Sequence, residues 1–229
     1  MKEALDRICL MIASRSTNLI ATANAEMIET AQSDPELAAA LQFANLVVPD
    51  GAGVVWAARY VGQPVPERVA GYDLVQELIK VAGEKQYRIF WFGSAQGIAD
   101  AASEKAKNSA AGLVVAGTRD GYFSSDQESN VVEQIRATAP DILLVALGAP
   151  RQEKWLHRHL SALNVPVCIG VGGTFDVMAG RVQRAPLWMQ QAGLEWFYRL
   201  AMQPSRFIRM LALPRFVFRV VKAGKHRDD

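Results

Sequence analysis

The chain has 229 residues, 50% of them apolar and 21% charged, which fits a globular protein with a sizeable buried core and excludes fibrous and disordered classes. Its net charge of +2 conceals an asymmetry: residues 199–229 hold eight Lys or Arg against two Asp, a net of +6, leaving −4 for the rest. A mildly acidic body with a basic tail points to an anionic partner, whether phospholipid, nucleic acid or pyrophosphate.

In chain order, the opening MKEALDRICLMIAS carries acids where a charged-then-apolar leader would stand and has no cleavage site, so a cytoplasmic protein is expected. Its EALDRICLMIAS portion reads as a helix. No run reaches about eighteen apolar residues, so any membrane contact is expected to be peripheral. The two cysteines, Cys9 and Cys168, lie far apart among apolar neighbours and read as reduced, buried thiols.

TNLIAT (17–22) reads as a strand, NAEMIETAQSDPELAAALQFA as one or two helices, and NLVVP (45–49) as a second strand. GAGVVWAARYVG follows as a helix, QPVPERVAG as a Pro-rich loop, and YDLVQELIKVAGEK as a helix. YRIFWFG (87–93), LVVAGT, DILLVALG (141–148) and VPVCIGVGG (165–173) are strand-like, with AQGIADAASEKAKNSA, VVEQIRATA and PRQEKWLHRHLSAL as the helices between them. Continuous apolar strands alternating with helices predict an α/β body with a doubly wound, mainly parallel sheet. Beyond Gly173 no strand is legible. Pro186, Pro204 and Pro214 punctuate helices rich in aromatic and basic residues, a helical C-terminal appendage.

In NLVVPDGAGVVW a lone carboxylate, Asp50, sits at a strand end between two apolar runs. Two readings are compatible: an N-cap of the following helix, and a ligand-facing acid held rigid and ionised by helix N–H groups. Other strand ends also offer polar or glycine positions: Thr22 and Asn24, Gly93 and Ser94, Gln152 and Glu153, and Gly172-Gly173-Thr174 with Asp176. Together they outline a nucleotide-sized site. TANAEM lacks the glycine fingerprint of a dinucleotide site. His157 and His159, two apart, face different ways, and no Cys/His metal spacing or Asp-x-Asp pair is present. Neither a metal nor a cofactor is therefore expected, and cations with backbone N–H groups would have to stabilise any departing diphosphate.

The motifs TANAEM, VVPDGAGVV, PERVAGYDL, ALGAPRQEKW, GVGGTFDVMAGRVQRAP and GLEWFYRLAMQPSRFIRM, in this order, resemble those of the WecG/TagA/CpsF glycosyltransferases, glycosyltransferase family 26. The resemblance is greatest to the TagA-like branch, and it runs from about Thr22 to the C-terminal helices. It implies a Rossmann-like catalytic domain over 1–194 that binds a UDP-sugar without metal, and a membrane-docking appendage over 195–229 that helps complete the site. The reaction implied is transfer of N-acetylmannosamine from UDP to N-acetylglucosamine on undecaprenyl diphosphate. UDP-glucose or the uronic acid stands as an alternative donor. By the same resemblance Asp50 and Thr22 are the catalytic residues, Asp50 as base and Thr22, like Asn24, as a donor or acceptor around the sugars. Arg68 and Gln152 line the substrates, and Arg199, Arg206 and Arg209 engage diphosphate; Gly93 and Asp176 join the substrate-binding set from the strand-end reading. Family members usually begin with one more strand and turn, which places this chain's start at the helix before Thr22.

Plainer readings stand beside these. Arg68 could pair with Glu67 or another surface acid, and Arg206 and Arg209 could form a solvated stripe. Trp196, Phe197 and Tyr198 suit either core or membrane contact. Phe207, Ile208, Leu211, Phe216, Phe218 and Val220, interleaved with arginines, suit an interfacial helix on anionic lipid or a homo-oligomer interface. No base-reading or stacking motif accompanies the tail, so a nucleic-acid partner is not expected.

Overall fold

The structure, a computed structural model, describes residues 1–204 and 207–225. Arg206 and the last four residues of the basic tail lie outside the described residues.

The first half runs α1 (Lys2–Ser14), β1 (Asn18–Ala23), α2 (Ala25–Ala31), α3 (Pro35–Phe43), β2 (Leu46–Pro49), α4 (Ala52–Tyr60), α5 (Gly71–Lys85) and β3 (Arg88–Gly93). It continues with α6 (Ile98–Ser109), β4 (Val114–Arg119), α7 (Glu128–Ala137), β5 (Ile142–Ala146), α8 (Arg151–Leu163), β6 (Val167–Gly170) and α9 (Thr174–Met178). The last helices are α10 (Leu187–Gln191), α11 (Glu195–Met202), α12 (Phe207–Met210) and α13 (Ala212–Lys225). The segment after β1 is two helices because Asp34 caps α3, its carboxylate accepting the Leu37 N–H at 3.1 Å, and Pro35 opens the new helix.

Six strands form one sheet in the order β2-β1-β6-β5-β3-β4, with every neighbouring pair parallel, where the pattern had predicted a mainly parallel sheet. Successive residues along the strands enter opposite faces. Ile20, Trp91, Leu144 and Ile169 pack under α1, α5, α6 and α9, against Ile8, Ile12, Leu74, Leu78 and Phe175. Leu19, Phe90, Phe92, Leu143, Val145 and Cys168 pack on the other face under α7 and α8, against Ile135, Trp155 and Leu156. Both faces are thus covered, as an all-parallel sheet requires. Of the two thiols only Cys168 is buried, and burial pushes it well above its ordinary pKa; Cys9 on α1 is half-buried, contrary to expectation.

The C-terminal helices fold back over the sheet's carboxyl edge. Phe216, Leu213 and Val220 of α13 pack on Ala25 and Ile28 of α2 and Ala57 of α4, and Arg219 forks onto Glu29 at 3.1 and 3.2 Å. Pro214 marks a break between helices, as expected: it sits in the first turn of α13, just after α12, where its missing N–H has no intrahelical acceptor to forfeit. Leu187, Trp188, Trp196, Phe197, Phe207, Ile208 and Phe218 remain exposed, while Tyr198 is half-buried. Among the described residues no helix is long and apolar enough to cross a membrane.

Candidate active site

Beyond the carboxyl ends of β1, β5 and β6 lies a cleft in two adjoining halves, where open α/β sheets hold ligands. The first, of about 380 Å³, is lined by Thr22, Asn24, Thr30, Gly148, Pro150, Gln152, Gly172, Thr174, Asp176 and Arg209, among others. The second, of about 390 Å³, runs between the body and the last helices, past Gly51, Arg68 and Glu195 to Trp196, Met210, Leu213, Phe216 and Val217. The halves share Asn24, Glu26, Asp50, Gly71, Tyr72, Arg184 and Arg199.

Asp50 follows β2 and is pinned by its backbone, whose N–H donates to the Ala23 carbonyl at 2.8 Å. It does not cap the helix that follows it. Gly51, with no side chain to offer, is the N-cap of α4, and the Asp50 carboxylate instead accepts the backbone N–H of Gly71 at the start of α5. Gly71 permits that approach, because a Cβ there would stand 3.3 Å from Asp50 Oδ2 and 3.3 Å from Thr22 Cγ2. Burial raises the pKa of Asp50; nearby Arg199 and Arg68 and the Gly71 N–H oppose that rise without cancelling it. Burial is thus the largest influence on its proton affinity, and the two arginines pull it back down.

The other candidates have distinct surroundings. Thr22 is buried, its hydroxyl donating to the Gly170 carbonyl at 3.3 Å. Asn24 caps α2 through the Met27 N–H at 2.9 Å and also faces both halves of the cleft. Gln152, in the first turn of α8, is buried: its Oε1 accepts the Gly172 N–H at 3.0 Å and its Nε2 donates to Glu153 at 2.7 Å. Asp176 accepts the Ser94 hydroxyl at 3.4 Å. Arg199 lines both halves and forms no ion pair among the described residues, and Arg209 lies 3.8 Å from Glu26. Arg206 lies outside the described residues.

One expectation fails. Gly93 lines neither half: its φ of 122° and the Ala146 backbone, 2.5 Å from where a Cβ would be, show a glycine required by close strand packing. Arg68 lines the second half, as expected; its acid partner is Glu195 of α11 rather than Glu67, which binds the N-terminal amine, and it donates to the Gln190 carbonyl at 3.3 Å. Sequence reasoning also missed Tyr72, Arg184 and Glu195. Each lies inside a quoted motif, but their meeting spans more than a hundred residues and leaves no local signal. Among the described residues no group of three or more His, Cys, Asp or Glu gathers to hold a metal ion.

The whole chain, residues 1–229, matches the model of the glycosyl transferase WecG/TagA/CpsF family. The chain belongs to this family. Relatives named N-acetylglucosaminyldiphosphoundecaprenol N-acetyl-beta-D-mannosaminyltransferase occur in Bacillus spizizenii (39% identical, covering 89% of this chain and 78% of the relative) and Bacillus subtilis (38%, covering 91% and 81%). A relative of the same name in Staphylococcus aureus is 31% identical, covering 98% of this chain and 89% of its own. The six motifs are therefore those of this family, and the cleft gathers residues from all of them.

Proposed function

We propose that this family member is an inverting transferase that moves N-acetylmannosamine from UDP-N-acetylmannosamine to N-acetylglucosamine on undecaprenyl diphosphate, in the synthesis of teichoic acid or a related surface polysaccharide. The observation that carries the proposal is the position of Asp50, in the walls of both halves of the cleft. The half at the sheet edge, with glycine-rich turns and the N-terminus of α8, suits a nucleotide diphosphate. The half lined by Trp196, Leu213, Phe216 and Val217 suits an acceptor on a lipid. A base between the two is placed for the transfer step.

In that step Asp50 takes the proton from the acceptor hydroxyl, whose oxygen attacks the anomeric carbon as the bond to UDP breaks and the configuration inverts. A carboxylate fixed by backbone on two sides suits a base, and its raised pKa brings it nearer the acceptor's. Thr22, which lines the cleft with Asp50, and Gln152, Asn24 and Asp176 supply donors and acceptors to the sugars and nucleotide. Arg199 and Arg209, with Arg206 by the family pattern, meet the diphosphate charge in place of a metal. Residues 1–194 act as the catalytic domain. Residues 195–229 act as an appendage resting on the inner face of the membrane, where the exposed Trp196, Ile208 and Phe218 enter the interface and the basic residues meet anionic headgroups.

The test is UDP release with EDTA present, using a panel of UDP-sugars and a lipid-diphosphate N-acetylglucosamine acceptor. Acceptor-dependent release from UDP-N-acetylmannosamine is expected, and Asp50→Asn should fold yet lose roughly a hundredfold or more of kcat. Near-normal turnover of Asp50→Asn removes it as base. Preference for UDP-glucose or the uronic acid changes the donor.

A further inference from the structure

Four side chains at the seam between body and C-terminal helices form an alternating charge chain. Arg184, in the loop before α10, grips Asp73 in the first turn of α5 with two hydrogen bonds, of 2.5 and 2.8 Å. The same guanidinium donates from Nε to Glu195 Oε1 at 3.3 Å and lies over the Tyr72 ring, 4.7 Å from its centre. The other oxygen of Glu195 is taken by Arg68. Glu195 is thus the one acid of α11 clamped from two sides, and only 12% of its side chain is exposed. Burial by itself would push its pKa up; Arg68, then Arg184 and Arg199, outweigh burial and hold it below the ordinary glutamate range.

The helix that carries Glu195 has little else to fix it. It has eight residues, no side-chain N-cap bond and no buried residue. So short a helix is marginal alone, and with Tyr198 and Leu200 only half-buried, packing holds its rotation about its own axis weakly. Arg199 stands four residues after Glu195 and so shares its face. Arg199 also reaches the cleft beside Asp50 and is the strongest of the charges opposing the effect of burial there.

We infer that Glu195 is a positioning residue: clamped by Arg68 and Arg184, it sets the rotation of α11 so that Arg199 enters the cleft next to Asp50. This rests on the transferase reading of the cleft. Its effect on the reaction passes through Arg199, which separates it from a merely structural ion pair.

The experiment is a kinetic double-mutant cycle in the full chain, Glu195→Gln and Arg199→Gln singly and together, with the lipid-linked acceptor on anionic vesicles. Glu195→Gln should lower kcat roughly tenfold to a hundredfold, the scale of loss for an ångström of misplacement, with donor KM little changed. In the Arg199→Gln background the same change should cost less than about twofold, since coupled groups are not additive. Glu195→Asp, which keeps the charge but shortens the reach, should fall between and show the same dependence on Arg199; this variant decides the matter if Glu195→Gln does not fold. Additive losses, or a Glu195 variant as active as the wild type, overturn the inference alone. A wild type that turns over no donor overturns the transferase reading and this inference with it.

Discussion

The sheet body and the last four helices solve the problem of burial differently. In the body, strand residues are buried on both faces by helices, and the two clusters run through the whole sheet. The C-terminal helices contribute a single small cluster around Phe216 and leave Trp188, Trp196, Phe197, Phe207, Ile208 and Phe218 at the surface. Exposed aromatic and aliphatic side chains of this number, interspersed with arginines along one segment, fit the proposed docking surface. The body is therefore held by its core. The last helices are held by α13, by ion pairs such as Arg219 to Glu29, and, in our proposal, by the membrane.

The change that would separate the two regions most sharply is Ile208→Asp with Phe218→Asp. Each removes an apolar side chain worth up to about 1.5–3 kcal/mol of transfer from water. The pair should cut binding to anionic vesicles, and kcat/KM on the lipid acceptor, roughly a hundredfold. Thermal melting should hardly move, because both residues are exposed and the body's core is untouched. Co-sedimentation and calorimetry measure the two quantities. A large fall in melting temperature would mean that the last helices are part of the body's core after all.

A smaller effect is expected where the regions meet. In our proposal Asp50 works as a base when ionised, so activity should rise with pH through its raised pKa, giving an acid limb above the ordinary aspartate range. Arg199 opposes the rise caused by burial. Removing that cation in Arg199→Gln should raise the pKa further and move the acid limb to higher pH, besides lowering kcat roughly tenfold or more. A pH–rate profile of kcat reads both effects. An acid limb that stays in place would show that Arg199 acts on the diphosphate alone.

The same division governs what was legible in the sequence. The four inner strands could be read because two-faced burial turns each into a largely apolar run, as in IFWF and ILLVA, while the edge strands β2 and β4, only partly buried, were read from their short apolar runs between helices. Asp50 stood out because a carboxylate ending such a run has to face something polar. What it faces was not legible: the local cap rule pointed to α4, while the chain brings in the start of α5, some twenty residues on. Gly93 looked like a ligand-approach glycine, but a glycine that admits a ligand and one that admits a neighbouring strand read alike. The Asp73–Arg184–Glu195–Arg68 chain is tertiary throughout, with each residue an ordinary polar member of its own segment.

The smallest effect concerns a second pair of states of a glutamate, and it contrasts the interior of the body with the seam. At the seam Glu195 lies between two arginines and is held ionised. In the body Glu153 is 2% exposed and meets no cation among the described residues, its carboxyl bonded to the neutral Gln152 amide and its own backbone N–H, with Oε2 buried and unpartnered. Burial raises its pKa, the Gln152 bond opposing only in part, so the folded chain retains a proton that the unfolded chain releases. For an acid raised on folding, stability is greatest below the unfolded pKa, falls as pH rises toward the folded value, and stays lowered above it. Glu153→Gln keeps the shape and removes the titration. The variant should therefore match the wild type in melting temperature at acid pH and gain on it steadily as pH rises, with kcat nearly unchanged because Gln at 153 can still accept from Gln152. Melting curves from acid to mildly alkaline pH test this directly. A wild-type advantage that grows with pH would mean that Glu153 is ionised in the fold and meets a cation there, and the contrast between the two glutamates would vanish.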